Sequence, residues 1–289
     1  QLQQVEILND SKLQMIDNFA FQQTMIESIT IPSELIELKE RWCYETKNLT
    51  IINVSPKNQR YCCYEDIMII GKKRIDQPNY DNLVFCIRNI QNILKIPNFI
   101  EHICSFSFQY CNKIKGIQFS NDSKIQSIDE YAFSYSTIEN ITIPSSVDFI
   151  GEGAFYFCDH LHKIEFSNDS KLQTIDTETF FCSAIKSINI PSSVNLIGEG
   201  AFYFCKKLQR IEFPNDSKLL TIGDEAFCNS LISSISIPFS VNFIGERSFF
   251  SCNQLRIIEI NNDNKEMLFM YQTVFKCCQN SLLMIPVDS

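Results

Sequence analysis

The sequence contains little glycine, tryptophan or histidine and no excess of positive charge. Its 289 residues include 8 Gly, 1 Trp and 3 His, and 34 acidic against 25 basic side chains give a formal net charge of −9. No face of such a chain must carry the positive field that attracts phosphate backbones, so we expect no nucleic-acid partner. No apolar run reaches the roughly 20 residues of a membrane-spanning helix, so we expect no membrane span in this chain.

Motifs that would indicate catalysis or cofactor binding are also missing. The sequence has no Walker loop, HExxH, nucleophile elbow or CxxC pair, which are the patterns expected at phosphate, metalloprotease, acyl-transfer and zinc sites. The Gly-Glu-Gly triplets at 151–153 and 198–200 occupy equivalent positions of a repeat rather than a phosphate loop. We expect no enzyme, no metal and no cofactor; a catalytic site would have to lie within 36–90.

Isoleucine, phenylalanine and cysteine instead recur with a fixed period. Three segments of 23 residues start 47 residues apart, at 138, 185 and 232, and the second reads IKSINIPSSVNLIGEGAFYFCKK. Between them lie 24-residue segments such as LHKIEFSNDSKLQTIDTETFFCSA at 161–184. Both kinds share one frame, so the unit is a coil of 23 to 24 residues with a short and a long type in alternation. Such a period indicates a solenoid.

Each coil combines a strand pattern with a second set of apolar residues. Ile188 and Ile190 alternate with small polar residues, which predicts a short strand. Pro191 then ends the strand, because proline has no N–H to donate to a ladder. A coil this short cannot bury both apolar sets alone, so neighbouring coils must stack and share one core. In this coil the second set, predicted to point inward, comprises Val194, Ile197, Ala201, Phe202 and Cys205.

The same frame divides the chain into regular and irregular stretches. We predict a single solenoid over 1–289, regular over 2–35 and over 91–260. The stretch 36–90 is predicted to be irregular or to carry an insertion, and it contains the only tryptophan, Trp42. Residues 261–289 are predicted to form degenerate C-terminal coils.

The frame L-x-x-I-x-I-P-x-x-V-x-x-I-G-x-x-A-F-x-x-C resembles the BspA-like, or Treponema-type, leucine-rich repeat. Residues 91–260 fit it closely, 2–35 fit it well and 36–90 fit it poorly. The resemblance implies a right-handed leucine-rich-repeat solenoid. Its fold class would be mainly β, with a parallel sheet on the concave face and short strands or turns on the other.

Members of this family are typically surface proteins of oral bacteria and mucosal protist parasites, associated with adhesion to host cells or extracellular matrix. The resemblance therefore implies a non-enzymatic protein–protein interaction module at the cell surface or outside the cell. Its partner would be a host-cell or matrix protein. The alternative is an intracellular, cytoplasmic leucine-rich-repeat scaffold, which unbridged cysteines would favour.

Binding is expected on the concave sheet, where alternate residues of each strand point outward. Glu165, Glu212 and Glu259 recur on every second coil, and Lys163 and Arg210 lie two residues before the first two. This pattern predicts a polar, nearly neutral face suited to weak multivalent contact, or else a solvated face without a ligand. The candidate residues are Gln118, Asn140, Thr142, Lys163, Glu165, Ser187, Asn189, Arg210, Glu212, Ser234, Ser236 and Glu259.

Thirteen cysteines raise the question of disulfides. Five fall near the same point of successive coils, and we expect them to form a ladder of reduced, buried thiols: Cys158, Cys182, Cys205, Cys228 and Cys252. Four others lie outside this frame, where a disulfide is the alternative to free thiols: Cys43, Cys62, Cys63 and Cys86.

Asn-x-Ser/Thr triplets recur as well. In four of the seven the triplet is the Asn-Asp-Ser of a long coil. These residues are expected as turn formers, and in a secreted protein they would also be glycan acceptors. The asparagines are Asn9, Asn48, Asn53, Asn121, Asn140, Asn168 and Asn215.

Overall fold

Short strands separated by tight turns make up the described part of the chain, as the brief apolar alternations and the recurring Pro, Asn and Asp residues dictate. The computed structural model describes residues 2–261 and 283–287, and from residue 260 onward it describes backbone only. Within these residues no helix is long and apolar enough to cross a membrane. The predicted fold class is confirmed, since the chain is a mainly β solenoid of about 11 turns with parallel sheets.

The first strands are β1 (Met15–Ile16), β2 (Ser28–Ile31), β3 (Glu37–Leu38) and β4 (Ile51–Val54). They are followed by β5 (Tyr61–Tyr64), β6 (Met68–Gly71) and β7 (Asn82–Cys86). The next are β8 (Asn92–Lys95), β9 (His102–Ile103), β10 (Ile114–Gln118), β11 (Ser127–Ile128), β12 (Asn140–Ile143), β13 (Phe149–Ile150), β14 (Lys163–Phe166) and β15 (Thr174–Ile175). The last are β16 (Ser187–Asn189), β17 (Leu196–Ile197), β18 (Arg210–Glu212), β19 (Thr221–Ile222), β20 (Ser234–Ser236), β21 (Phe243–Ile244), β22 (Ile257–Asn261) and β23 (Leu283–Val287).

Two parallel ladders follow the stacked coils. The longer strands pair in the orders β2-β4, β8-β10-β12-β14, β16-β18 and β20-β22-β23, and we call this side the long-strand face. Two-residue strands pair in the orders β1-β3, β9-β11-β13 and β15-β17-β19-β21, which form the short-strand face. The register places equivalent residues opposite each other, as with Ile141 and Ile164. Apolar residues of neighbouring coils therefore meet in one shared interior.

The third side of each coil, which we call the turn side, is a run of tight turns. Tyr131 and Tyr135 there have φ of 53° and 57°, and equivalent residues of other coils share this left-handed backbone. That conformation costs roughly 1 to 2 kcal/mol for a residue with a side chain. It aims the N–H groups at the next coil, where Tyr131 N donates to Glu152 O at 2.9 Å and Tyr135 N to Tyr156 O at 2.8 Å. Hydrogen bonds between coils thus offset the backbone strain.

A column of phenylalanines runs through the centre of the core. One ring from each coil is at most 1% exposed and stacks on the next, with centroids 4.7 to 5.3 Å apart. This spacing is close to the separation of neighbouring strands, about 4.8 Å, so ring stacking and ladder pairing are compatible. The inward orientation predicted for Val194, Ile197, Ala201, Phe202 and Cys205 is confirmed, because all five are fully buried. The column contains Phe108, Phe133, Phe155, Phe180, Phe202, Phe227 and Phe249.

The predicted ladder of five cysteines is wrong in its membership. Counted from the phenylalanine of the column, the thiol comes three residues later in the short coils, whereas Cys182 comes two later and Cys228 one later. Cysteine in the short coils therefore contacts serine in the long ones: Ser136 with Cys158, Ser183 with Cys205, and Ser230 with Cys252. Each of these thiols also donates to a phenylalanine carbonyl, at 3.0 to 3.2 Å. The buried column is thus an alternation of cysteine and serine.

No disulfide joins the eleven described cysteines to one another. The expected reduced state of the buried thiols is therefore what the structure shows. The alternative of a disulfide in the irregular stretch is not realised, because Cys43, Cys62, Cys63 and Cys86 are unbridged.

The stretch 36–90 leaves the coil pattern in its second half. Strands β3 and β4 still pair in parallel with β1 and β2. In contrast, β5, β6 and β7 pair antiparallel, and β7 then joins the short-strand ladder beside β9. Side chains of these strands divide the interior into two apolar clusters, with Ile69 and Phe85 in the N-terminal one and Ile70 and Leu83 in the C-terminal one.

Arg88 lies just after β7 and is only 1% exposed. Its guanidinium donates to the carbonyl oxygens of Ser107 at 3.0 Å and Cys86 at 3.4 Å, and it lies 4.4 Å from the centre of the Phe85 ring. Carbonyl oxygens and a ring face thereby replace much of the water that a buried cation loses. The side chain ties the end of the antiparallel segment to the coil that follows it.

We expect Phe202→Ala to lower the free energy of unfolding by about 3 to 5 kcal/mol, because a buried ring is lost from the middle of the column. Ser187→Ala, on the exposed long-strand face, should change it by less than about 0.5 kcal/mol. Urea denaturation followed by circular dichroism measures both. Equal effects of the two substitutions would contradict the assignment of inward and outward sides.

Thiol reactivity should separate the buried cysteines from those on the turn side. Burial raises the pKa of Cys205 to about 12, although Ser183 opposes the shift. The neutral thiol therefore stabilises the fold below the unfolded pKa of about 8.5, and this contribution is lost as the pH rises toward the folded value. We expect maleimide at neutral pH to label half-buried Cys182 in the native protein and Cys205 only after unfolding. Equal labelling rates, mapped by mass spectrometry, would contradict this.

Candidate protein-binding face

The residues predicted for binding lie together on the long-strand face. Successive strand residues point to opposite sides, so these side chains alternate with buried isoleucines such as Ile141 and Ile164. Ten of the candidates are exposed, whereas Glu212 and Glu259 are half-buried. Because polar and apolar residues alternate along each strand, the polar side chains form a row on the surface.

Ion pairs along the strands leave this row nearly neutral. Lys163 Nζ lies 3.0 Å from Glu165 Oε1, and Arg210 pairs with Glu212 in the same way. Exposed pairs of this kind contribute about 0 to 1 kcal/mol to stability, so their main effect is on the charge of the surface. On β22 the corresponding place before Glu259 is taken by Ile257, which is 37% exposed. The face consequently becomes more apolar and more acidic toward β22.

A groove of about 700 Å³ lies over β16, β18, β20 and β22, and we call it the long-strand groove. Its rim includes Phe213, Pro214, Pro238 and Phe239. It combines neutral hydrogen-bonding groups, one ion pair and an apolar edge. Half of the predicted residues line it: Asn189, Arg210, Glu212, Ser234, Ser236 and Glu259.

The aromatic rim was missed by the sequence analysis, which predicted an entirely polar face. Phe239 is 52% exposed and gives the groove an apolar contact of the kind that anchors protein interfaces. It occupies the place of Ser145 and Ser192 in the preceding short coils. This substitution of phenylalanine for serine was the one sign of the aromatic rim in the sequence. It was overlooked because the prediction considered only the alternating strand residues.

The remaining candidates are not gathered into the same groove. Gln118 and Thr142 line a smaller one of about 380 Å³ beside Phe119. The other four lie on β12, β14 and β16 and are exposed: Asn140, Lys163, Glu165 and Ser187.

Histidine is scarce among the side chains that could supply acid–base chemistry, with three in the sequence. No three His, Cys, Asp or Glu side chains in that part of the chain converge as metal ligands. On the short-strand face, His102 Nδ1 lies 2.9 Å from Ser127 Oγ, which donates to Asp129 Oδ1 at 2.7 Å. The carboxylate thus contacts the serine, whereas in a catalytic triad it orients the imidazole. His160 and His162 are exposed, whereas His102 is half-buried.

The Asn-Asp-Ser triplets lie at exposed corners after the long strands. Their serine hydroxyls accept backbone N–H groups two residues later, at 3.3 to 3.4 Å, as in the pair Ser217 and Leu219. The Asn and Asp of each triplet lie in a turn, as expected for turn-forming residues. Asn53 and Asn140 lie in strands β4 and β12, and Asn215 lines the long-strand groove.

Comparisons with known proteins agree with this architecture. Among solved structures, a leucine-rich repeat protein from Eubacterium ventriosum is 22% identical over 82% of this chain and 62% of its own, with a TM-score of 0.69. A leucine-rich cell surface protein from Faecalibacterium prausnitzii is 18% identical over 96% of this chain and 83% of its own, with a TM-score of 0.46. The pneumococcal vaccine antigen PcpA is 16% identical over 71% of this chain and 82% of its own, with a TM-score of 0.43. No curated protein matches the sequence.

The first of these structures shows the same fold, and this chain spans 62% of that protein's length. A family model for the BspA-type leucine-rich repeat region matches residues 1–65, 80–195 and 173–288, in 6 copies. These matches include most of the sequence, and they contain both ladders, the phenylalanine column and the long-strand groove. The chain therefore belongs to the BspA-type leucine-rich-repeat family.

Proposed function

We propose that this chain is a non-enzymatic interaction module that acts at the cell surface or outside the cell. It binds a host-cell or matrix protein through the long-strand face. The observation that supports this most is the long-strand groove, in which predicted outward residues and exposed Phe239 line one cavity of about 700 Å³.

The groove provides the elements of a modest protein interface. Ser234, Ser236 and Asn189 offer neutral donors and acceptors, so they can be desolvated at lower cost than charges. Phe239 supplies an apolar anchor at the rim. Equivalent outward residues recur along the same face, and contacts that are weak singly gain strength when several engage one partner surface.

We expect Ser236→Arg to reduce binding at least tenfold, because a large cation would fill the groove next to Arg210. Asn242→Arg is the matched control, since it adds the same charge in the same coil next to β21, outside the groove. Surface plasmon resonance against immobilised matrix proteins, and adhesion of labelled protein to intact host cells, measure the effect. Equal loss in both variants, or no binding of the wild type above an unrelated control protein, would contradict the proposal.

The proposed location predicts that antibodies raised against the chain stain intact, unpermeabilised cells of the source organism. Protease added to such cells should likewise remove the protein while sparing a cytosolic control. Staining that requires permeabilisation would refute the surface assignment and direct the search to intracellular partners.

The second candidate function is an intracellular scaffold, and the free thiols favour it. Cysteines stay reduced most readily in cytosolic surroundings, and all eleven described cysteines are unbridged. Mass spectrometry of protein purified from its native source separates the two functions. Glycans on Asn121, Asn168 or Asn215 would exclude the scaffold.

A further inference from the structure

The turn side carries a second surface, which the proposed function does not use. Aromatic rings of neighbouring coils contact each other there in two columns, and all of them except buried Phe106 are at least partly exposed. In the first column ring centroids are 5.5 to 5.9 Å apart, and in the second 4.9 to 5.2 Å. The first contains Phe19, Tyr44, Phe106 and Tyr131, and the second contains Tyr110, Tyr135 and Phe157.

A cavity of about 250 Å³ is lined by rings of both columns, and we call it the aromatic groove. Tyr156 closes one end, because its centroid lies 5.8 Å from those of Tyr131 and Tyr135 and its plane crosses theirs at 67° and 68°. Gly153 makes room for this arrangement, since a Cβ there would collide with the Tyr131 ring. The lining comprises Arg41, Tyr44, Phe106, Gln109, Tyr131, Tyr135, Tyr156 and Glu178.

The amide of Gln109 is already satisfied by the protein. Gln109 is 1% exposed, its Nε2 donates to Ser134 Oγ at 3.2 Å, and its Oε1 accepts from Glu45 N at 3.3 Å. Of the two charged groups in the lining, Arg41 and Glu178, only the Glu178 carboxylate can accept a hydrogen bond from a ligand.

Glu178 is poorly compensated where it lies. Burial raises its pKa, and the carboxylates of Glu152 and Glu199 add to the shift. No cation of the described chain lies within ion-pair distance of it. Glu225 holds the same position of the repeat one super-repeat later, and it pairs with Arg247 at 3.4 Å. Glu178 is thus a half-buried carboxylate without an ion pair among the described residues, and a cationic ligand would stabilise its charged form.

Rings in the groove and in neighbouring coils already attract cations, and one of them is Phe106 of the lining. The Arg41 guanidinium lies 5.2 Å from the Phe106 centroid, Lys47 Nζ lies 4.6 Å from that of Tyr110, and Lys206 Nζ lies 4.8 Å from that of Phe204. Such contacts contribute roughly 0.5 to 2 kcal/mol each. Between them, Tyr135 and Tyr156 carry no cation from the described residues.

We propose that the aromatic groove binds a primary ammonium group, presented by a lysine side chain of a protein partner. The methylene stem packs against the tyrosine rings and the ammonium donates to Glu178. The groove is smaller than the roughly 300 to 1,000 Å³ of drug-sized sites, which suits a single side chain. Carboxylate and phenol oxygens are hydrogen-bond acceptors, so a cation with N–H donors fits better than a quaternary one.

The test is a titration with Nα-acetyl-L-lysine methylamide, followed by ¹⁹F NMR of protein labelled with 3-fluorotyrosine. We expect saturable shifts of the Tyr131, Tyr135 and Tyr156 signals. Glu178→Gln should weaken binding about tenfold, whereas Glu225→Gln, at the equivalent position, should leave it unchanged. Tyr156→Leu should weaken binding and Tyr203→Leu, its equivalent 47 residues later, should not; circular dichroism verifies that both fold.

Three outcomes would overturn the proposal. The first is an absence of saturable shifts. The second is equal binding by the wild type and Glu178→Gln, or equal loss in Glu178→Gln and Glu225→Gln. The third is binding of the Nε-acetylated probe or of tetramethylammonium as tightly as the lysine probe, because those compounds lack the charge or the N–H donors.

Discussion

The separation between neighbouring coils is the constraint on which the rest of the molecule depends. A coil of 23 to 24 residues encloses too little volume to shield its own apolar side chains, so it is stable only against another coil. Strand pairing requires a separation near 4.8 Å, and the buried phenylalanine rings stack at 4.7 to 5.3 Å. Both ladders, the turn-side hydrogen bonds and the thiol contacts are consequences of that common spacing.

The long-strand face and the turn side repeat at the same spacing but carry different kinds of side chains. On the long-strand face most outward residues are polar, and exposed apolar side chains such as Ile257 and Phe239 interrupt the row. On the turn side, residues with left-handed backbone place aromatic rings against each other. Gly153 leaves room for the Tyr131 ring, and a groove forms between the rings. One architecture therefore presents two surfaces of different chemistry.

Sequence reasoning recovered the features that depend on periodicity. The strand positions, the inward set around Phe202 and the outward row could be predicted because each is repeated many times and each has one energetic optimum. The prediction failed for Cys182 and Cys228, which lie one or two residues before the position that cysteine holds in the short coils. Approximate spacing in the sequence does not reveal which side chains contact each other. The aromatic groove could not be foreseen, because it depends on how the Tyr131 ring lies across Gly153.

The alternation of cysteine and serine in the core has a consequence for how such a protein can change length. Recombination that adds or deletes 47 residues keeps each cysteine of the buried column next to a serine. An exchange of a single coil would place two thiols, or two hydroxyls, in contact within the interior. The array is therefore expected to grow and shrink in pairs of coils, so that relatives should differ in length by whole multiples of the two-coil unit.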